Sequence, residues 1–122
     1  MSMDPIATNP ESYKVIFEND QVRVLEYLDH PGHLTKPHQH PDSVMYTLST
    51  FSRRLHANGT TRDINIVAGT TGWLPAQIHA GENIGQTDTH AIFCGIERWF
   101  SFYRNAWTSN LRIRLVFVRL VG

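Results

Sequence analysis

The sequence predicts an all-β fold, a sandwich or barrel of short antiparallel strands within a single domain. Its 122 residues and mass of 14.0 kDa leave room for one domain with a proper core, and not for two. Short segments rich in β-branched and aromatic residues recur at intervals of roughly 8–12 residues, which is typical of sandwiches and barrels. Helix signals are few, and only residues 99–106 favour a helical turn or two.

The first two predicted strands, residues 13–17 and 22–28, show the period-2 alternation of a half-buried strand. Asn19 and Asp20 mark the turn between them, and Pro31-Gly32 ends the second strand. The beginning of the chain, residues 1–12, is polar and carries two prolines, so we expect a frayed arm there.

A hairpin is predicted further along the chain. Residues 53–56 and 62–67 flank Asn58-Gly59, a dipeptide that supplies the positive φ angles of a tight β-turn. The other predicted strands are β-branched or aromatic in character and comprise residues 44–48, 89–96 and 111–121.

Composition excludes several classes of function. Eleven basic and eleven acidic residues give a net charge of zero, which does not favour a nucleic-acid partner. Cys94 is the single cysteine, so no disulfide can form within the chain, and we expect a reducing, cytoplasmic location. No apolar run approaches the roughly 18 residues of a membrane span, so no membrane partner is expected.

The charges are distributed unevenly along the chain. All eleven acidic residues lie within residues 1–97, which carry a net charge of −5, whereas residues 98–122 carry five arginines and no acid. We therefore predict a barrel over residues 13–97 and a basic, aromatic extension over residues 98–122. Its amphipathic strand is expected to pair with a sheet edge of its own or a second subunit, which favours a homodimer. A nucleic-acid arm is less favoured because the arginines form no dense block.

The seven histidines include a pair with a spacing suited to metal binding. On an extended backbone, His38 and His40 point to the same face, and Pro37 and Pro41 stiffen the segment around them. His79 follows about 40 residues later, in a glycine-rich region expected to be a turn. Imidazole is the commonest protein ligand of transition metals, although a lone His-x-His pair is more often a surface feature.

Two segments around these histidines resemble the motifs of the cupin family. Gly32 is followed by five residues and then His38-Gln39-His40, which resembles the first motif. The segment from Gly69 through Pro75 and His79 to Asn83 resembles the second. This resemblance, which covers residues 13–97, implies an antiparallel jelly-roll barrel, the double-stranded β-helix of cupins. It also implies that His38, His40 and His79 are the ligands of one divalent metal ion, with iron, zinc, nickel and copper as candidates.

The sequence departs from the cupin pattern in three places. Val44 and Met45 stand where the first motif has a glutamate ligand, Phe51 or Ser52 replaces a glycine, and Gln77 replaces another. The pattern resembles the three-histidine subset of cupin oxygenases, which includes the thiol and diketone dioxygenases. It implies a metal-dependent, dioxygenase-like enzyme acting on a small chelating acid, diketone or thiol. The alternatives are a non-catalytic module that binds a small ligand or a metal, and a degenerate cupin without metal.

Other polar residues are candidates for the pocket wall. Gln77 could approach the metal or its ligands, His90 could lie beside them, and Tyr46 or Tyr27 could line the pocket. Each has an ordinary structural alternative: a glutamine that caps backbone groups, or a satisfied residue of the core. The sequence identifies no catalytic base.

Overall fold

A computed structural model describes residues 2–97 of the chain. The predicted extension, residues 98–122, and its strand over 111–121 lie outside the described residues. The described part contains one short helix and nine strands. These elements are α1 (Pro5–Thr8), β1 (Tyr13–Glu18), β2 (Val22–Asp29), β3 (His38–His40), β4 (Ser43–Thr47), β5 (Phe51–Ala57), β6 (Thr60–Ile66), β7 (Thr71–Leu74), β8 (Gln77–Asn83) and β9 (Thr89–Ile96).

The strands form two antiparallel sheets. The first has the order β1-β2-β9-β4-β7, and the second has the order β3-β8-β5-β6. Apart from the hairpins β1-β2 and β5-β6, neighbours in these orders are distant in sequence, as in a jelly roll. The all-β prediction is therefore confirmed, and every predicted strand within residues 2–97 is present.

Local sequence signals account for several of these elements. Asn58 (φ 53°) and Gly59 (φ 74°) adopt the left-handed conformation that the predicted hairpin turn between β5 and β6 requires. Helix α1 was not expected, because residues 1–12 were predicted to fray. It begins at the N-cap Asp4, whose carboxylate accepts from the Ile6 N–H, and it has Pro5 at its first position.

The region around His79 was predicted to be a turn, and this prediction is wrong. The segment is strand β8, paired with both β3 and β5. Its inward side chains are Gln77, His79 and Asn83, with Gly81 between the last two. Alternation does not mark this segment as a half-buried strand, because the side chains that face the interior are polar and the apolar Ile78 is exposed.

The interior between the sheets combines a small apolar core with buried polar groups. Tyr13, Leu25 and Tyr27 form the buried cluster, and Ile6 and Phe93 pack against it. Arg53 is also buried, and a side chain at Gly81 would place its Cβ 2.7 Å from an Arg53 guanidinium nitrogen, so β8 needs glycine there. Within residues 2–97, no helix has the length and apolar character needed to cross a membrane.

Candidate metal centre

The register of two strands brings the three predicted histidines together. On β3 and β8, His38 lies directly opposite His79, and His40 follows two residues along the same face of β3. The imidazole ring centres are 4.8 Å apart for His38 and His40, and 5.0 Å for each of them and His79. One candidate ligand nitrogen from each ring lies within 4.8 Å of the others.

Hydrogen bonds to Nδ1 orient two of these rings. The His38 Nδ1–H donates to the Lys36 carbonyl oxygen at 2.7 Å, and the His79 Nδ1–H donates to Gln77 Oε1 at 2.8 Å. Each bond leaves the lone pair on Nε2, and metal-ligating histidines are commonly held by such an acceptor behind the ring. Gln77, one of the predicted pocket residues, therefore orients His79.

A buried asparagine of the arm supports His38 from behind. Asn9 is fully buried, its Oδ1 accepts from the Lys36 N–H at 2.8 Å, and its Nδ2 donates to the Lys36 carbonyl at 3.1 Å. Asn9 therefore holds both the N–H and the C=O of Lys36, and this carbonyl is the one that accepts from His38. Sequence reasoning missed Asn9, because nothing in a polar arm with two prolines marks one of its residues as buried.

Burial keeps the histidine cluster, His38, His40 and His79, in its neutral form. His38 and His40 are 1% and 2% exposed, and His79 is partly buried. Desolvation lowers the pKa of His38, lowers the pKa of His40 to about 3, and lowers the pKa of His79 to about 4. The proximity of the rings to one another lowers the pKa of His40 and of His79 further. Neutral imidazole is the form that ligates metals.

The hydroxyl of Tyr13 lies within hydrogen-bond distance of two of the ring nitrogens. It is 3.1 Å from His38 Nε2 and 3.2 Å from His40 Nε2. Tyr13 is 6% exposed, and burial raises its pKa, so the phenol is neutral in the absence of a ligand. Sequence reasoning missed this residue. Tyr13 is the first residue of β1 and the other five residues of that strand are exposed, so alternation does not mark it.

These residues fit a divalent transition metal. Three imidazoles with converging nitrogens and acceptors behind two of the rings form a donor set that suits zinc, iron, nickel or copper and leaves coordination positions open. Neither position of the missing glutamate supplies a carboxylate: Val44 is 39% exposed, and Met45 presents a thioether to the interior. The three histidines could therefore hold a metal ion.

A cavity of about 210 Å³ adjoins the cluster and is lined by His38 and His79. Most of its other walls are apolar, and these side chains belong to Met45, Phe51, Leu55, Ile64, Ile66 and Phe93. Arg62, which is exposed, also lines this cavity. The space suits a small ligand with an apolar body.

A second buried polar group borders the same cavity. Arg53 Nη1 donates to Asp29 Oδ2 at 2.8 Å and to Thr89 Oγ1 at 3.0 Å, and the Tyr27 hydroxyl donates to the same Asp29 oxygen. Asn83 Nδ2 donates to Asp29 Oδ1 at 3.0 Å. In this Asp29–Arg53 network (Asp29, Arg53, Tyr27, Asn83 and Thr89), both carboxylate oxygens accept from buried donors, so it has a structural role.

Two predicted pocket residues lie elsewhere. His90 Nε2, on β9, is 2.7 Å from Glu26 Oε2 on the neighbouring strand β2. Tyr46 is 45% exposed on β4. Neither lines the cavity. The period of two along β4 explains the position of Tyr46, because its neighbour Met45 takes the inward position. Tyr27 does line the cavity, with its hydroxyl bound into the Asp29–Arg53 network.

Comparisons with known proteins show the fold. The sequence matches no family model and no curated protein. The structure is similar to a cupin domain from Bordetella pertussis Tohama I, with 23% identity over 69% of this chain and 90% of that chain and a TM-score of 0.65. An RmlC-like cupin family protein from Methanocaldococcus jannaschii gives 10% identity over 70% and 79% of the two chains, with a TM-score of 0.58.

The polyketide cyclase RemF from Streptomyces resistomycificus is also similar, with 17% identity over 69% of this chain and 63% of that chain and a TM-score of 0.52. At these identities the likeness concerns the fold, and the two sheets described above agree with it. The chain therefore has the double-stranded β-helix fold of the cupins.

Proposed function

We propose that this protein is a metal-dependent, dioxygenase-like enzyme that acts on a small chelating acid, diketone or thiol. One observation carries the proposal: three neutral imidazoles converge at the wall of a small, mostly apolar cavity. The chemistry that a bound divalent ion supplies is Lewis acidity and a template for chelating oxygen or sulfur atoms. The fold also occurs in a protein named a polyketide cyclase, which is an enzyme.

The walls of the cavity support this substrate class. His38 and His79 lie on one side, so a chelating head group could reach the cluster while an apolar body contacts Phe51, Ile64 or Ile66. The exposed Arg62 favours an anionic substrate, because its charge attracts carboxylates, enolates and thiolates. The three histidines bring no negative charge, so a divalent ion held by them keeps a net positive charge that attracts such an anion.

The chain's own acid–base groups contribute little beside the cluster. Among residues 2–97, the cavity lining includes no carboxylate, and Asp29 beneath it is bound to Arg53. This observation favours chemistry centred on a metal over general acid–base catalysis. It also favours the alternative function, a non-catalytic module that binds a small anion or a metal, because binding needs no catalytic base.

Metal analysis of the full chain, purified without a histidine tag, tests the proposal first. We expect close to one divalent ion per chain after reconstitution and loss of that ion in His38→Ala. His30→Gln is the matched control, because His30 is exposed and bonds Asp88 outside the site. Less than about 0.1 ion per chain, unchanged by reconstitution or by His38→Ala, would favour the degenerate cupin without metal.

Oxygen uptake by the iron-loaded protein separates the enzyme from the binding module. We expect uptake with some members of a panel of diketones, thiols and small chelating acids, and its loss in His38→Ala. Ligand-induced stabilisation without oxygen uptake or any product would instead favour the binding module.

The homodimer and the cytoplasmic location were predicted from the sequence, and we keep both as proposals. Sedimentation equilibrium of the full chain and of a chain ending at Glu97 tests the first. A monomer mass for the full chain would contradict it.

A further inference from the structure

We infer that the phenol oxygen of Tyr13 is a fourth protein ligand of the ion held by His38, His40 and His79. This inference rests on the metal-binding function proposed above. Tyr13 lies on β1, outside both segments that resemble cupin motifs, and its side chain reaches the cluster from the sheet that does not contain β3 and β8.

The first observation is the distance from the Tyr13 oxygen to the ring nitrogens of His38 and His40. Ligands that share one ion at about 2.0–2.1 Å, at angles between those of an octahedron and a tetrahedron, lie roughly 2.9–3.4 Å from one another. The Tyr13 oxygen is 3.1 Å from His38 Nε2 and 3.2 Å from His40 Nε2. Both distances fall within the range for neighbouring ligands of one ion.

The Tyr13 hydroxyl would lose its hydrogen-bond partners when the histidines bind an ion. Without a metal, the Tyr13 hydroxyl can donate to His38 Nε2 and accept from His40 when His40 carries its proton on Nε2. When both nitrogens direct their lone pairs to an ion, neither bond can persist. Among residues 2–97, the hydroxyl has no other hydrogen-bond partner, and a buried polar atom without a partner is costly. An ion bound at the cluster would supply that partner.

The third observation is the absence of a negatively charged ligand among the histidines. The positions of the missing carboxylate ligand hold Val44 and Met45, so the histidine cluster alone brings no negative charge. Coordination breaks the phenol O–H bond, forms an oxygen–metal bond and releases one proton to solvent. The phenolate then supplies the single negative charge that the glutamate would have supplied, and the charge of the ion favours this form over the neutral phenol.

Iron(III) spectroscopy tests the assignment, because phenolate bound to iron(III) gives a visible charge-transfer absorption that imidazole ligands do not. The full chain is loaded with iron(II) without oxygen and then oxidised to iron(III) by air. We expect the visible band, with phenolate vibrations enhanced in its resonance Raman spectrum. Tyr13→Phe should retain bound iron and lose the band, and Tyr46→Phe, which removes an exposed hydroxyl, should retain both.

Three outcomes would overturn the inference. Bound iron(III) without a phenolate band in the unmodified chain excludes Tyr13 coordination without recourse to any variant. A band that survives in a folded Tyr13→Phe variant, or that is lost in Tyr46→Phe alone, assigns it to another tyrosine. Failure of the unmodified chain to bind iron, with zinc, nickel and copper equally unbound, overturns the proposed function together with this ligand.

Discussion

Two polar groups are buried side by side in this barrel, and they differ in how completely their hydrogen-bonding capacity is used. In the Asp29–Arg53 network, both oxygens of a carboxylate that is 1% exposed accept from buried donors. In the histidine cluster, two rings are held from behind through Nδ1, while their Nε2 atoms face a shared space. Tyr13 links the two groups, since its ring lies 4.7 Å from that of Tyr27.

The difference shows how burial can serve two purposes within one core. A charged pair with saturated hydrogen bonds stabilises the arrangement in which it sits, and breaking it leaves a charge without compensation. Neutral imidazoles with lone pairs directed at one point contribute less to the fold and retain capacity for a ligand. Substitutions in the Asp29–Arg53 network should therefore lower mainly the stability of the fold, whereas substitutions in the histidine cluster should lower mainly the affinity for metal.

Among single substitutions, the largest expected effect concerns Arg53. Arg53→Met removes the partner of buried Asp29 and should lower the free energy of unfolding by about 3–5 kcal/mol, measured by urea denaturation of the metal-free protein. Arg54→Met, which breaks the exposed pair with Asp63, is the control and should leave the urea midpoint nearly unchanged. Because apolar replacements of a buried pair are tolerated, Asp29→Leu combined with Arg53→Met should recover part of the loss. A loss below about 1 kcal/mol in Arg53→Met would show that the Asp29–Arg53 network does not stabilise the fold as proposed, and the contrast with the histidine cluster would not hold.

The second effect is stabilisation by metal. An ion at 100 times its dissociation constant should raise the free energy of unfolding by about 2.7 kcal/mol, because it binds the folded state alone. His79→Gln should abolish this gain while changing the metal-free stability far less than Arg53→Met. Thermal unfolding with and without zinc measures both quantities, and His30→Gln should respond like the unmodified chain. Equal stabilisation of His79→Gln would place the zinc elsewhere.

The third effect concerns Gln77, which accepts from the Nδ1–H of His79. Gln77→Met keeps the length of the side chain and removes the acceptor, and it should weaken metal affinity about 10–100-fold, with little loss of stability. Gln39→Met is the matched control, because Gln39 lies on β3 with its side chain exposed. Competition with a chromophoric chelator measures the affinities. Equal affinity of the two variants would show that Gln77 does not orient the ligand.

The fourth effect is the pH dependence of the metal-free protein, which is measured as a slope per pH unit and not as the effect of one substitution. The pKa values of His40 and His79 lie near 3 and 4 when folded and near 6.5 when unfolded. The unfolded chain therefore binds more protons below pH 6.5. Stability should be full above that pH and fall as pH decreases towards 4, by at most about 1.4 kcal/mol per pH unit for each histidine. Urea midpoints between pH 7 and pH 4 measure this slope, and a slope unchanged in His79→Gln would contradict the buried, neutral state.

Local features of the sequence were sufficient for much of the fold. The Asn58-Gly59 turn needs only two residues that tolerate positive φ, and strand β9 was predicted over the same residues that it occupies. The face shared by His38 and His40 follows from the pleat of a single strand. Strand β8 could not be predicted in this way, because its inward side chains are polar and its partners are distant in the chain.

The sequence by itself determined the donor types of the candidate site, the all-β class and the motifs that resemble those of cupins. Only the tertiary structure decided that His79 faces His38, that Gln77 and the Lys36 carbonyl hold two rings, and that Tyr13 reaches their nitrogens. The physical reason is the range of the interactions. Turn geometry and side-chain alternation act over a few residues, whereas these contacts depend on the register and packing of strands far apart in the chain.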